Sequence, residues 1–386
     1  MKSTIHDPSF CEQAKQFQKT NFKTMSKKTF LSLAIVVVTL ASCSSDDDVP
    51  TVEVPSLGAI IQPAVGGPNQ PNQVYLDLSS EESTAINRAS WDFGFSTDTD
   101  FRVIINGSLK MAVKKLETSD ITLIQASDEA VAVGAGTNPS SNGYCDNPTG
   151  VLAGSGAGIG TAIAEVSAND ADNKVYLVNL GFAVSTTTPT VGSVSIDGAA
   201  RGWKKVRILR NGNGYKIQFA DLNSSTFQEK TISKNDDFNF TFFSLTTGTT
   251  VEVEPKKDKW DLNFTTFTNY VNFGTEVTYG YSDFIVSNRK GGTKAYQVLV
   301  ADGGSYESFT LANVVENNFT ISATDQRIIG SNWRNGGGPG SLPSVRTDRF
   351  YVIKDVVGNY YKIRFLAMTN DAGVRGNPTI EYSILN

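Results

Sequence analysis

Histidine is nearly missing from this chain. Its 386 residues hold one, His6, within the first 42. If that stretch is a removed leader, no imidazole remains. The absence excludes Ser-His-Asp and Cys-His catalysis and His-ligated zinc. Cysteine is almost as scarce, with three residues: Cys11, Cys43 and Cys145. Cys11 lies in the leader and Cys43 at its end, so Cys145 is the one thiol left and no internal disulfide can form. Of four methionines, only Met111 and Met368 lie outside the leader. Positive charge is also short. The formal net charge of −5 falls to −9 when residues 1–42, with six lysines and two acidic residues, are taken away. That balance carries no nucleic-acid footprint. The apolar run Phe30 to Ala41 has 12 residues, too few to cross a bilayer as a helix. No long amphipathic helical pattern is visible in the rest.

What is present begins with a targeting signal. Met25-Ser26-Lys27-Lys28 gives a basic start, Phe30 to Ala41 a short apolar core, and Leu40-Ala41-Ser42-Cys43 a small-residue end. The last four residues resemble a bacterial lipobox, which implies that Cys43 is lipidated and becomes the mature N-terminus. The acidic run Asp46-Asp47-Asp48 resembles the surface-export tag of some Gram-negative lipoproteins. Residues 1–42 are therefore expected to be a leader and signal peptide, and 43–71, with its prolines and glycines, a tether. The expected location is the outer membrane, held in the lipid through Cys43 and facing the exterior.

About 340 residues remain for the folded body. The stretch Lys259-Trp260-Asp261-Leu262-Asn263-Phe264 has an earlier echo in Ser90-Trp91-Asp92-Phe93-Gly94-Phe95. Strand alternation would place 91, 93 and 95, and likewise 260, 262 and 264, on one face, with the aspartates on the other. A second echo pairs Gly214-Tyr215-Lys216-Ile217-Gln218-Phe219 with Tyr360-Tyr361-Lys362-Ile363-Arg364-Phe365. Each copy follows a turn, Asn211-Gly212-Asn213 or Val357-Gly358-Asn359, so one β-hairpin is written twice. Short alternating runs recur elsewhere, as in Val74 to Leu78 and Tyr296 to Val300. The expected fold is all-β and antiparallel, in two related halves in tandem, 72–256 and 257–386. The first is longer between its markers by about 23 residues, assigned to an inserted loop at 131–163 rich in Gly, Ala and Ser.

Other features read as structure rather than chemistry. Gly154 to Gly160 lacks the preceding strand, following helix and Lys-Ser/Thr of a phosphate-binding loop. Asn335 to Gly340 is a turn-rich loop, and Asp236-Asp237 sits on turn-like sequence. Nothing in the sequence asks for an enzyme.

Together the lipobox Cys43, the two Trp-Asp strands, Tyr281-Ser282-Asp283-Phe284, Asn288-Arg289-Lys290-Gly291-Gly292, Tyr296-Gln297-Val298, Arg349 to Ile353, Tyr360 to Phe365 and Pro378 to Tyr382 resemble the HmuY-like family. The match is stronger over 203–386 than over 72–202. The resemblance implies an all-β surface lipoprotein that binds haem and passes it to a TonB-dependent outer-membrane transporter. It brings no ligand with it, because the two histidines of the family prototype have no counterpart here. The residues able to reach iron are the soft donors Met111 and Met368 and the phenols Tyr279 and Tyr281. Met111 shares a face with Leu109 and Val113, which reads as core. Met368 matches Leu222 in the repeat, which also reads as packing. Two methionines could clamp one haem only across a cavity between the halves. On the same scaffold, exposed Tyr, Trp and Asn would equally serve a non-enzymatic module for a glycan or a partner protein.

Overall fold

The computed structural model describes residues 54–134, 143–154, 159–272, 274–337 and 341–386. The leader, Cys43 and Asp46 to Asp48 lie outside them, as do parts of the two glycine-rich loops. Among the described residues every strand pairing is antiparallel, and no helix is long and apolar enough to cross a membrane.

Alternation builds the hairpins. In Tyr360–Thr369 the residues Tyr361, Ile363 and Phe365 are buried while Tyr360, Lys362 and Arg364 stay half-buried. The period of two puts every second side chain into the core. The equivalent strand Gly214–Ala220 pairs with Trp203–Asn211 across the two-residue loop Gly212-Asn213, where Gly212 has φ 58°. That left-handed backbone is the one a tight hairpin needs.

Each half has the same large sheet. In the first, the order is Gln228–Ile232, Gly214–Ala220, Trp203–Asn211, Val175–Asn179, Ala112–Lys115. In the second it is Gly58–Ile61, Arg375–Ile384, Tyr360–Thr369, Arg349–Lys354, Lys294–Leu299. Four strands correspond one to one. Gly58–Ile61 lies in the segment expected to be a tether. It is instead an edge strand, with Gly58 opposite Ser383 and Ile61 opposite Ile380.

The smaller sheets show how the halves are joined. One runs Thr249–Val251, Phe240–Ser244, Phe93–Ser96, Val103–Ile105; the other runs Ser83–Asn87, Asn72–Leu76, Leu262–Asn272, Glu276–Ser287. So the hairpin preceding Trp91 pairs with the strand after Trp260, and the hairpin preceding Trp260 pairs with the strand after Trp91. The halves exchange hairpins. Side-chain packing follows. Val74, Leu76 and Leu78 enter the core of Leu262, Phe264 and Tyr361, while Phe243 and Leu245 enter the core of Phe93, Phe95 and Tyr215. Each fully buried aliphatic or aromatic side chain of this kind contributes about 1.5–3 kcal/mol.

The same hydrogen bonds recur at both Trp-Asp motifs. Asp92 N donates to Phe243 O and its carboxylate accepts from Leu245 N; Asp261 N donates to Leu76 O and its carboxylate accepts from Leu78 N. Asn106 Nδ2 donates to Trp91 O, and Asn288 Nδ2 to Trp260 O. Thus Tyr75 corresponds to Phe242 and Gln73 to Phe240, and the first hairpin (72–87) is repeated at 240–251. A boundary at 256/257 falls after that second hairpin.

One expectation from the alternation fails. Trp91 and Trp260 do not share a core with the residues two and four positions on. Each precedes its strand and packs instead with Tyr75, Phe242 and Val253 in a separate cluster where the halves meet. Trp91 meets Phe242 edge-on at 4.8 Å, and Trp260 meets Tyr75 at 5.0 Å. The chain bends at each Asp because its carboxylate caps backbone N–H groups of the exchanged hairpin, which turns the preceding Trp to the other side.

Candidate functional site

The exchanged hairpins leave a cavity of about 170 Å³ between the halves. Its apolar wall is the tryptophan cluster with Phe240 and Ile104; its polar wall includes Asn239, Glu254, Asn263 and Arg289. Half-buried Val151, Leu152, Arg289 and Lys290 mark where it meets solvent. The loop Cys145 to Leu152, within the stretch assigned to an insertion, forms one side. That stretch is not merely surface loop: Val131, Cys145, Thr161 and Ile163 are all buried.

The two tryptophans differ at this cavity. Trp91 Nε1 donates to Gln73 Oε1 at 2.7 Å. Phe240 holds the position in the second hairpin that Gln73 holds in the first, and Trp260 Nε1 has no partner among the described residues. Asn263 Oδ1 and Arg289 Nε are likewise buried and unpaired. Arg289 is otherwise held by Ala323 O and Gly150 O. Glu254 Oε1 accepts from Phe240 N, and burial pushes its carboxyl up to about 8. Burial likewise raises the Asp261 carboxyl to about 7, although Leu78 N and Thr293 Oγ1 both donate to it. Asp92, in the same role, is paired with Arg201 at 2.7 Å.

The structure separates the iron-competent residues named from sequence. Met111 is fully buried in the first core and lines the cavity; Met368 is 2% exposed in the second core and does not. They share no space in which one haem could lie between them, so the methionines do not fit as a pair of axial ligands. Tyr279 and Tyr281 lie on the long hairpin of Leu262–Asn272 and Glu276–Ser287, with rings edge-on at 5.1 Å. Tyr279 is 48% exposed. Burial first, and the neighbouring Tyr279 second, raise the Tyr281 phenol, which keeps it protonated and a poor anionic ligand. Lys110 packs against Gly280 between the two tyrosines, pairs with Asp197, and places its ammonium 5.9 Å from the ring of Phe182, itself 36% exposed. The result is an exposed patch of aromatic faces with a cation among them.

Below this patch the hairpin is pinned at Asp283, a buried residue with φ 47°. Its carboxylate accepts from Gln70 Nε2 at 2.7 Å and Arg375 Nε at 2.8 Å, and its carbonyl from Trp333 Nε1. A left-handed non-glycine conformation persists only where its surroundings over-determine it. Among the described residues no group of three or more His, Cys, Asp or Glu is arranged to hold a metal ion.

The cavity residues Trp260, Phe240, Asn263 and Glu254 escaped sequence reading as a site. The available signal was the departure of Phe240 from Gln73, visible only once the two hairpins are aligned. A search of curated proteins finds no match. A family model described as HmuY protein matches twice, over residues 69–235 and 236–382. Each matched region begins with one of the exchanged hairpins, so the family unit and the structural repeat coincide. Over most of its length, in two tandem copies, the chain belongs to the HmuY family, a family known for haem binding.

Proposed function

We propose that this protein is an outer-membrane surface lipoprotein that captures haem or a related tetrapyrrole and delivers it to a TonB-dependent transporter. The observation that carries the reading is the double match to a haem-binding family. Cys43 provides the lipid anchor and Asp46 to Asp48 the signal for outward display. The capture surface is the patch of Tyr279, Tyr281, Phe182 and Lys110. Aromatic faces take up a planar macrocycle by stacking, and a lysine suits its carboxylates. No histidine is at hand and both methionines are engaged in cores, so the protein–iron bond is weak or missing.

A haemin titration followed at the Soret band tests this. A broad, modest shift is expected, unchanged in Met111→Ala and Met368→Ala and diminished in the double variant Tyr279→Ala, Tyr281→Ala. A tight complex lost in either methionine variant would refute weak ligation. No spectral change at all would remove haem and leave a glycan or a partner protein as the ligand of the same scaffold.

A further inference from the structure

We propose that the cavity between the halves is a second binding site, for a small, uncharged, planar heteroaromatic molecule with an N–H donor beside an acceptor. It is distinct from the exposed tyrosine patch and does not depend on haem binding there.

Size comes first. A cavity of about 150 Å³ accepts benzene, whereas sites for drug-sized ligands run to about 300–1,000 Å³. At about 170 Å³ this one takes a single ring or two fused rings, and a porphyrin is excluded. The walls fix the shape. Tyr75, Trp91, Phe240, Phe242 and Trp260 surround the space with aromatic rings, which favours a flat, aromatic occupant.

The unpaired atoms fix the polarity. Trp260 is 7% and Asn263 6% exposed, so Nε1 and Oδ1 are a donor and an acceptor withdrawn from bulk water without partners. A buried polar atom left so costs about 1–3 kcal/mol. Asn263 and Tyr75 are directly opposed across the Leu262–Asn272 and Asn72–Leu76 strands, so their side chains share a sheet face. Trp260 packs edge-on against that same Tyr75. The residues that carry the donor and the acceptor therefore both neighbour Tyr75.

The repeat supplies a control within the molecule. At the first motif Gln73 satisfies the indole of Trp91, and Gly94 stands where the second motif has Asn263. The second motif replaces the partner of the indole with Phe240 and adds an acceptor with nothing to accept. Both departures open the same cavity. The donor and acceptor left unpaired on Trp260 and Asn263 are both neutral groups and call for a neutral occupant, while the cations at the mouth, Arg289 and Lys290, are engaged with two carbonyls and with Asp98. A sugar would bring more hydroxyls than the three unpaired atoms can satisfy.

The probe is 7-azaindole, whose pyrrole N–H and pyridine nitrogen lie side by side, with indole as the same shape lacking the acceptor. Calorimetry on the intact protein should show saturable 7-azaindole binding about three- to tenfold tighter than indole, the worth of one neutral hydrogen bond. Trp260→Phe, which keeps an aromatic side chain and removes the N–H, should bring the two probes level. Phe240→Gln, which restores at that position of the repeat the residue that serves Trp91, should also abolish the preference. Equal affinity for both probes in the unaltered protein would overturn the proposal, and that comparison stands even if a variant fails to fold. A crystal structure showing only ordered water on Trp260 Nε1 and Asn263 Oδ1, undisplaced by 7-azaindole, would overturn it as well.

Discussion

The two Trp-Asp motifs invite one substitution made twice. Asp92 and Asp261 are equivalent in the repeat and almost fully buried, yet their surroundings differ. Asp92 accepts from the guanidinium of Arg201 at 2.7 Å and from Leu245 N at 2.6 Å. Asparagine there would set an NH₂ group against one of those donors and strand the arginine, a loss of about 3–5 kcal/mol. Asp261 accepts from Leu78 N at 2.9 Å and from a hydroxyl, Thr293 Oγ1, at 3.0 Å. A hydroxyl can turn and accept, so Asp261→Asn keeps both contacts. The pH dependence sharpens the contrast. Burial raises the Asp261 carboxyl from 3.8 to about 7. An acid shifted upward binds its proton more tightly in the fold than in the unfolded chain. It therefore supports the fold fully below its unfolded value, and that support is lost as pH rises through 7. A shift of this size amounts to about 4 kcal/mol between pH 4 and pH 8. Asp261→Asn lacks the titration. It should match the unaltered protein near pH 4 and exceed it by about 3–4 kcal/mol at pH 8. Urea denaturation at pH 4.5, 6 and 8 reads both variants. If Asp261→Asn costs as much as Asp92→Asn, or if its difference from the unaltered protein is flat with pH, the assigned roles are wrong.

Cys43→Ala should release the protein from the membrane fraction; unchanged partitioning would refute lipidation at that residue. Replacing Asp46, Asp47 and Asp48 should leave the protein on the inner leaflet, whereas continued cleavage by protease added to whole cells would count against an export role. Hairpin exchange makes a further demand. Produced as separate chains, 54–235 and 236–386 each lack a strand neighbour held by the other. Mixed, they should form a one-to-one complex by size-exclusion chromatography; two monomers that ignore one another would show that each hairpin closes on its own half.

Much of the fold was legible in local pattern. The alternation at Tyr361, Ile363 and Phe365 and the turn at Gly212 are set by chain geometry within a few residues, and the structure has both. The loss of histidine excluded whole classes of chemistry because those mechanisms require an imidazole. The recurrence of Trp-Asp marked the duplication, and the family match confirms two units in tandem. Which half each hairpin completes was decided by tertiary structure. A strand offers the same row of N–H and C=O groups to a neighbour from its own half or the other, so no residue of 72–87 or 240–251 states the choice. The turn of Trp91 and Trp260 away from their strands depends equally on carboxylate caps to Leu245 and Leu78, residues remote in sequence. The cavity follows from both. Trp260 reads as a core anchor until the two hairpins are aligned and Phe240 takes the position Gln73 holds in the other repeat, and it is the packing that leaves a buried indole N–H without a partner among the described residues.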